Sequence, residues 1–414
     1  MKRRHFIGLT ALATVGAAGT AAWKYWFDNG LFNQCYQGDL PAGLASHDVV
    51  RKAFDGIQAD QLWDGHVHLL GEGVGNTGAW ISPKLKSFQY PIRKVQYEFY
   101  RNAGCIVDSR HADADYTERL IHLLGQFPAG ARLLLLAFDY FHDYQGRPDP
   151  AQSTFFTPNE YAEKLSRQHP QHFAWIASIH PYREDCVEAL HRAVAGGARA
   201  VKWLPPAMGI DPASPRCDRF YEALARYKLP LLSHAGDEKA VHSEELQKLG
   251  NPLRLRRALD HGVRVIVAHL ASLGEGIDLD MKGKSMRKMK NFHLFARLMG
   301  EPEYEGKLFG ELSAVTQINR IGIALETMMR RDEWHHRIIN ASDYPLPAIP
   351  PLFSLKVIER LGWIRSNEAH VLGELRHWNP LLFDFVLKRT MRIDGQRLPV
   401  EMFHTRKHFD SKFI

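Results

Sequence analysis

Asp64-Gly65-His66-Val67-His68 closes the short run Gln61-Leu62-Trp63 and sets two imidazoles one residue apart. Side chains alternate across a strand, so Asp64, His66 and His68 are expected on one face and Gly65 and Val67 on the other. Two imidazoles on one face at a strand end can grip one metal ion, and imidazole nitrogen suits zinc and similar divalent metals. Taken alone, His-x-His is also what two ordinary polar residues at a strand end look like. Four further segments weigh against that reading. Leu229–Ser233 runs into His234, Val263–Ala268 into His269, Arg337–Ser342 into Asp343, and Ala198–Val201 into Lys202. Each is a short run of strand-forming residues, then a polar residue, then loop chemistry.

The elements that must position these groups alternate along the chain. Arg132–Phe138, Phe173–Ile179 and Gly306–Leu312 read as further strands. Between the strands, Thr117–Gln126, Thr157 to about Gln168, Cys186–Ala195, Phe220–Tyr227, Leu253–Leu259 and Gly322–Arg331 read as helices. Thr157-Pro158-Asn159-Glu160 is a helix start, and Gly196-Gly197 a stop. Strand–helix alternation predicts a parallel α/β sheet. Ligand candidates on the first, fifth and last strands predict that the sheet closes into a (β/α)8 TIM barrel, with its catalytic groups at the C-terminal strand ends. Two long loops, Gly71–Pro91 and His142–Phe156, fall at that face and should shape specificity. Gly104–Arg110 has the composition of a ninth strand and reads as an insertion. His180 and Glu311 end other strands and are candidates to touch substrate. Asp64 is expected deeper in the barrel, accepting a histidine N–H. The divisions are 1–27, a targeting segment; 28–59, a leader; 60–395, the barrel; and 396–414, a tail.

The ordered set His-x-His, Lys, His, His, Asp at successive strand ends resembles the amidohydrolase superfamily. "LPLLSHAGDE", "VRVIVAHLAS" and "IINASDYP" are most similar to its amidohydrolase-related branch of metal-dependent TIM-barrel hydrolases. The resemblance runs from about Asp64 to the segment Asn379–Phe383. It implies a divalent metal, zinc by expectation and one ion rather than two, held by His66, His68, His234 and Asp343. It implies that Asp343 also acts as general base, and that His269 polarises the substrate or holds the attacking water. Lys202 bridges two metals in such enzymes only when carbamylated; unmodified, it would meet a substrate carboxylate. The implied activity is hydrolysis of an amide, ester or lactone by metal-activated water. The rival activity is non-oxidative decarboxylation of an aromatic or unsaturated acid, which relatives in this branch perform. A barrel that binds a ligand without turnover is the non-enzymatic alternative.

Composition bounds the rest. The formal charge of +7 favours a small anionic substrate, and no recognition motif supports a nucleic-acid partner. Lys282–Lys290 is a basic run near the expected mouth, more simply read as a solvated surface. The four cysteines, Cys35, Cys105, Cys186 and Cys217, match no zinc framework and are too sparse for a disulfide scaffold. They read mostly as buried small apolar residues, with room for one bridge. Met1–Gly8 carries adjacent arginines and leads into an uncharged Ala/Gly/Thr-rich stretch, which resembles a twin-arginine export signal. Export to the periplasm follows. If the segment is not cleaved, Trp23, Tyr25, Trp26 and Phe27 would attach the protein to the outer face of the membrane. A homo-oligomer is compatible with this reading.

Overall fold

The computed structural model describes residues 30–239, 244–281, 283 and 287–410. The targeting segment lies outside the described residues, as does part of the Lys282–Lys290 run. Among the described residues no helix is long and apolar enough to cross a membrane.

The β-branched and leucine-rich runs become eight parallel strands: β1 (Trp63–His68), β2 (Arg132–Leu136), β3 (Phe173–Ile176), β4 (Val201–Trp203), β5 (Leu231–His234), β6 (Val265–Ala268), β7 (Leu308–Glu311) and β8 (Ile338–Ile339). β1, β2 and β3 pair in that order, and β4 through β8 pair in sequence order. Two parallel bridges join the arcs: Ala177 with Val201, and Val67 with Tyr344. Backbone bonds span both seams, from Lys202 N–H to the Ala177 carbonyl (2.6 Å) and from His68 N–H to the Tyr344 carbonyl (2.9 Å). The eight strands thus form the ring of a TIM barrel.

Helices separate the strands. α1 (Pro91–Ala103) and α2 (Ala112–Leu124) follow β1, and α3 (Asn159–Gln168), α4 (Cys186–Ala195) and α5 (Asp218–Tyr227) follow β2, β3 and β4. α6 (Arg256–Asp260), α7 (Asn291–Met299) and α8 (Ile323–Arg330) precede β6, β7 and β8, and α9 (Leu355–Arg360), α10 (Ser366–Trp378) and α11 (Pro380–Thr390) complete the outer layer.

Two apolar clusters record the alternation of the strands. Leu133, Leu135, Val201, Trp203, Leu231, Val265 and Val267 belong to the large cluster shared with the helices. Leu134, Leu136, Ala174, Ile176, Leu232, Ile266, Phe309 and Ile339 form a separate inner cluster with Trp63 and Phe409. Residues two along from an inner one face the axis as well. Lys202, His234 and Glu311 are therefore aimed inward by position alone.

β1 breaks that rule. Asp64 is in register with Leu133 and Val67 with Leu135, so three steps on β1 match two on β2. The extra residue is a bulge, which re-aims a side chain beside a site. Asp64 consequently points to the outer layer while His66 and His68 point in, which corrects the expectation of one shared face. Asp64 Oδ1 accepts the backbone N–H of His66 (3.1 Å) and of Ser342 (3.0 Å), not a histidine ring. Gly65 lies in the bulge, where a Cβ would stand 2.7 Å from the Phe409 ring. The C-terminal segment thus fills the barrel base: Phe409 sits in the inner cluster and Thr405 Oγ1 accepts the Trp63 N–H at 2.9 Å.

Other differences are local. Gly104–Arg110 forms no strand; it is a loop joining α1 and α2. α1 was not expected; Ile92 and Val95 on it are exposed while Tyr97 is buried. The two long loops are tied together where Trp80–Ile81 pairs antiparallel with Phe155–Phe156. Cys35 and Cys105 are not buried apolar fillers but a disulfide, formed where Asn33 N–H meets Asn102 Oδ1 (2.7 Å) and Phe32 stacks on Phe99. Cys186 and Cys217 are buried and free, as expected.

Candidate metal centre

Six of the strand ends converge on one polar cluster. His66 comes from β1, Lys202 from β4, His234 from β5 and Glu311 from β7, each delivered by the inward phase of its strand. His269 and Asp343 follow β6 and β8. Both hold positive φ, 57° and 61°, a left-handed conformation uncommon for residues with a Cβ. Such local strain is found where a site must aim a side chain.

His66 is clamped on both ring nitrogens. Its Nδ1–H donates to Glu311 Oε2 at 2.9 Å, which leaves Nε2 with a lone pair. Lys202 Nζ donates to that Nε2 at 3.1 Å, and Asp343 Oδ1 lies 3.4 Å from it. His68 Nε2 is 3.1 Å from the same Asp343 oxygen. His269 Nδ1 faces the Ser313 carbonyl at 3.1 Å and the Ser313 hydroxyl at 2.6 Å, and its Nε2 is 3.8 Å from Asp343 Oδ2. Among the described residues, the ligand atoms of His66, His269 and Asp343 lie within 4.8 Å of one another. His234 stands one ring away, 5.2 Å between centroids from His269, with Nδ1 3.5 Å from Glu238.

Burial and charge act against each other here. Burial would raise the Asp343 carboxyl, but His66, His269 and a bond from His68 hold it well below its ordinary value. Burial would raise Glu311 too, and His66 again outweighs it and keeps the group lowered. Lys202 is lowered by burial, with Glu311 and Asp343 opposing the shift. Burial pushes the His234 imidazole down to about 4 and His269 well below the usual histidine range. Neutral imidazoles beside ionised carboxylates are the protonation states that metal ligation requires.

The donor chemistry fits a divalent ion. His234 Nε2 is buried and makes no hydrogen bond among the described residues, an orphan that a cation would satisfy. His66 carries a carboxylate on its far nitrogen, the support commonly given to a metal-bound histidine. The structure thus brings His66, His68, His234, His269, Asp343 and Lys202 to one cavity. It groups His269 with His66 and Asp343 more tightly than His234, although the reading above put His234 among the ligands and His269 beside them. His180 is not at the cavity: its Nε2 bonds the Met208 carbonyl at 2.9 Å and its ring packs on His142. Glu311 supports His66. Ser313 and Glu238 went unread. Glu238 was legible four residues after His234, whereas no sequence signal marks Ser313.

A family model described as amidohydrolase matches residues 63–301, more than half of the chain. Among curated proteins, none matches. An uncharacterised TIM-barrel protein from Bordetella bronchiseptica is similar in structure, with 12% identity, 75% of this chain and 93% of that one covered, and a TM-score of 0.45. A 5-carboxyvanillate decarboxylase mutant from Novosphingobium aromaticivorans, solved with manganese, has 11% identity, coverages of 78% and 96%, and a TM-score of 0.43. A 2-pyrone-4,6-dicarboxylic acid hydrolase candidate from Pseudomonas putida has 14% identity, coverages of 69% and 82%, and a TM-score of 0.40. The family match spans β1 to β6 and the strand ends that carry His66, His68, Lys202, His234 and His269, and the chain belongs to the amidohydrolase family.

Proposed function

We propose that the protein is a metal-dependent hydrolase that cleaves an amide, ester or lactone bond of a small molecule. The observation that carries this reading is the convergence of His66, His68, His234, His269 and Asp343 on one cavity, with no hydrogen bond to His234 Nε2 among the described residues. His66, His68, His234 and Asp343 would hold the ion, zinc by donor type. Such an ion, when bound, supplies Lewis acidity and lowers the pKa of water to about 7.

The chain's own residues divide the remaining work. Asp343 takes a proton from the attacking water as the oxygen bonds to the carbonyl carbon. It then gives that proton to the leaving nitrogen or oxygen as the scissile bond breaks. With its proton on Nδ1, facing the Ser313 carbonyl at 3.1 Å, His269 would present Nε2 as an acceptor. That supports a role in holding the attacking water rather than in polarising the carbonyl. Lys202, unmodified, would steady a substrate carboxylate or carbonyl oxygen; carbamylated, it would become a further ligand.

Decarboxylation is the second reading. It is favoured by one observation: Lys202 Nζ, a partner for a carboxylate, lies in a cavity whose other walls are largely apolar. Export to the periplasm is proposed on the basic, apolar N-terminus. The Cys35–Cys105 disulfide supports it, since such bonds persist in oxidising compartments.

The test is metal content per chain in protein purified without chelator or histidine tag, together with Asp343→Asn. About one ion and loss of turnover with the metal retained is expected. About two ions would point to a carbamylated Lys202, and loss of the ion in Asp343→Asn would make Asp343 chiefly a ligand. Protein that takes up neither zinc nor manganese would overturn the mechanism. Carbon dioxide release from aromatic acids, with no cleavage of esters, amides or lactones, would move the assignment to the decarboxylase.

A further inference from the structure

The cavity above the metal-ligand cluster is walled by two insertions as well as by the loops that leave β1, β4 and β8. α1 contributes Tyr97 and Tyr100, the short helix Pro83–Lys86 contributes Leu85, and the β2–β3 connection contributes Phe138, Phe141 and Phe155. The antiparallel pairing of Trp80–Ile81 with Phe155–Phe156 locks these two walls together. Two hydroxyls in the wall are turned away into backbone bonds. Thr157 Oγ1 donates to the Leu69 carbonyl at 3.0 Å, and Ser153 Oγ donates to the Asp149 carbonyl at 2.8 Å. Glu72 accepts from the Tyr97 hydroxyl at 2.6 Å and forms an ion pair with Arg101 Nε at 3.7 Å. Lys86, the second cation on Glu72, lies outside the lining.

We infer that the site takes a substrate with a single polar head, held at the His–Asp–Lys202 end, and an uncharged alkyl or aryl body that fills the cavity between α1 and the β2–β3 connection. The inference rests on the reading of the cluster as the reaction centre. A body of this kind gains by leaving water, and gains in proportion to its apolar area. A second charge on the body would be desolvated among the aromatic rings, or would have to break the Glu72–Arg101 pair to find a partner. The cavity therefore selects against dicarboxylates and polyhydroxylated acids and in favour of amphiphiles with one head.

The experiment is titration calorimetry on the metal-loaded enzyme with straight-chain monocarboxylates from acetate to octanoate, and with the dicarboxylates of matching length. The expected result is a Kd that falls about fourfold per added methylene until the cavity is full. Each dicarboxylate should bind at least about tenfold more weakly than its monocarboxylate. A flat series, no binding of any monocarboxylate, or dicarboxylates that bind as tightly would overturn the inference. Leu85→Gln and Tyr100→Gln, both on the insertions, should flatten the gradient while leaving metal content unchanged. An unaltered gradient in both variants would also overturn it. Metal content, measured on the same samples, separates the two readings. A gradient in protein that takes up no metal would refute the metal mechanism alone, and metal without a gradient would refute this inference alone.

Discussion

Glu311 shows how one buried side chain sets the state of another. Its carboxylate faces His66 Nδ1 at 2.9 Å, fixes the proton on that nitrogen and turns the Nε2 lone pair toward Lys202 and the site. A carboxylate in this place also raises the basicity of the imidazole, and loss of such a partner typically lowers metal affinity about 10- to 100-fold. Glu311→Gln should therefore bind metal about tenfold more weakly or worse, measured by competition with a chelator of known affinity, while its unfolding midpoint changes little. An unchanged affinity would reduce Glu311 to a barrel filler. Much at this scale was legible. His66, His68, His234 and Asp343 all announce themselves as polar residues at the ends of apolar runs. The tautomer of His66 was not legible, because it depends on a carboxylate 245 residues away.

Period-two alternation is a local property of each strand, so the inward aim of Lys202, His234 and Glu311 was predictable from neighbours such as Val201, Leu232 and Phe309. The β1 bulge was not. It inserts one residue relative to β2, which turns Asp64 outward and leaves both histidines on the inside. A single sequence carries no mark of that mismatch, since a bulge is defined only against the partner strand. Gly65 is its clearest trace, and here the constraint is contact rather than conformation. Gly65→Ala puts a methyl 2.7 Å from the Phe409 ring and should cost about 1–3 kcal/mol. Gly43→Ala, in the short helix Ala42–Ala45 with nothing within 4 Å, is the control and should be neutral or stabilise by up to about 1 kcal/mol. Urea unfolding midpoints of the two variants check both. Equal midpoints would mean that Phe409 does not occupy the barrel base in solution.

Across the whole molecule, the leader and the tail brace the barrel from opposite ends of the chain. The tail plugs its base through Phe409, and the leader is bonded to the end of α1 through Cys35 and Cys105, which are 70 residues apart. Closing a loop of that length typically stabilises a fold by about 2–4 kcal/mol. Cys35→Ser with Cys105→Ser should lower stability by about that much in denaturant unfolding under non-reducing conditions, and wild type in excess dithiothreitol should match the double variant. A double variant as stable as untreated wild type would show the bridge to be idle. The sequence by itself determined the class of this protein. Strand–helix alternation and polar residues at successive strand ends are local patterns, and they suffice for a parallel α/β barrel with a cluster of polar candidates at its mouth. Only the tertiary structure decided which histidine faces which carboxylate, which cysteines pair, and that the two insertions meet over the site as an apolar wall. Those outcomes depend on contacts between residues far apart in the chain, and neither composition nor periodicity records such contacts.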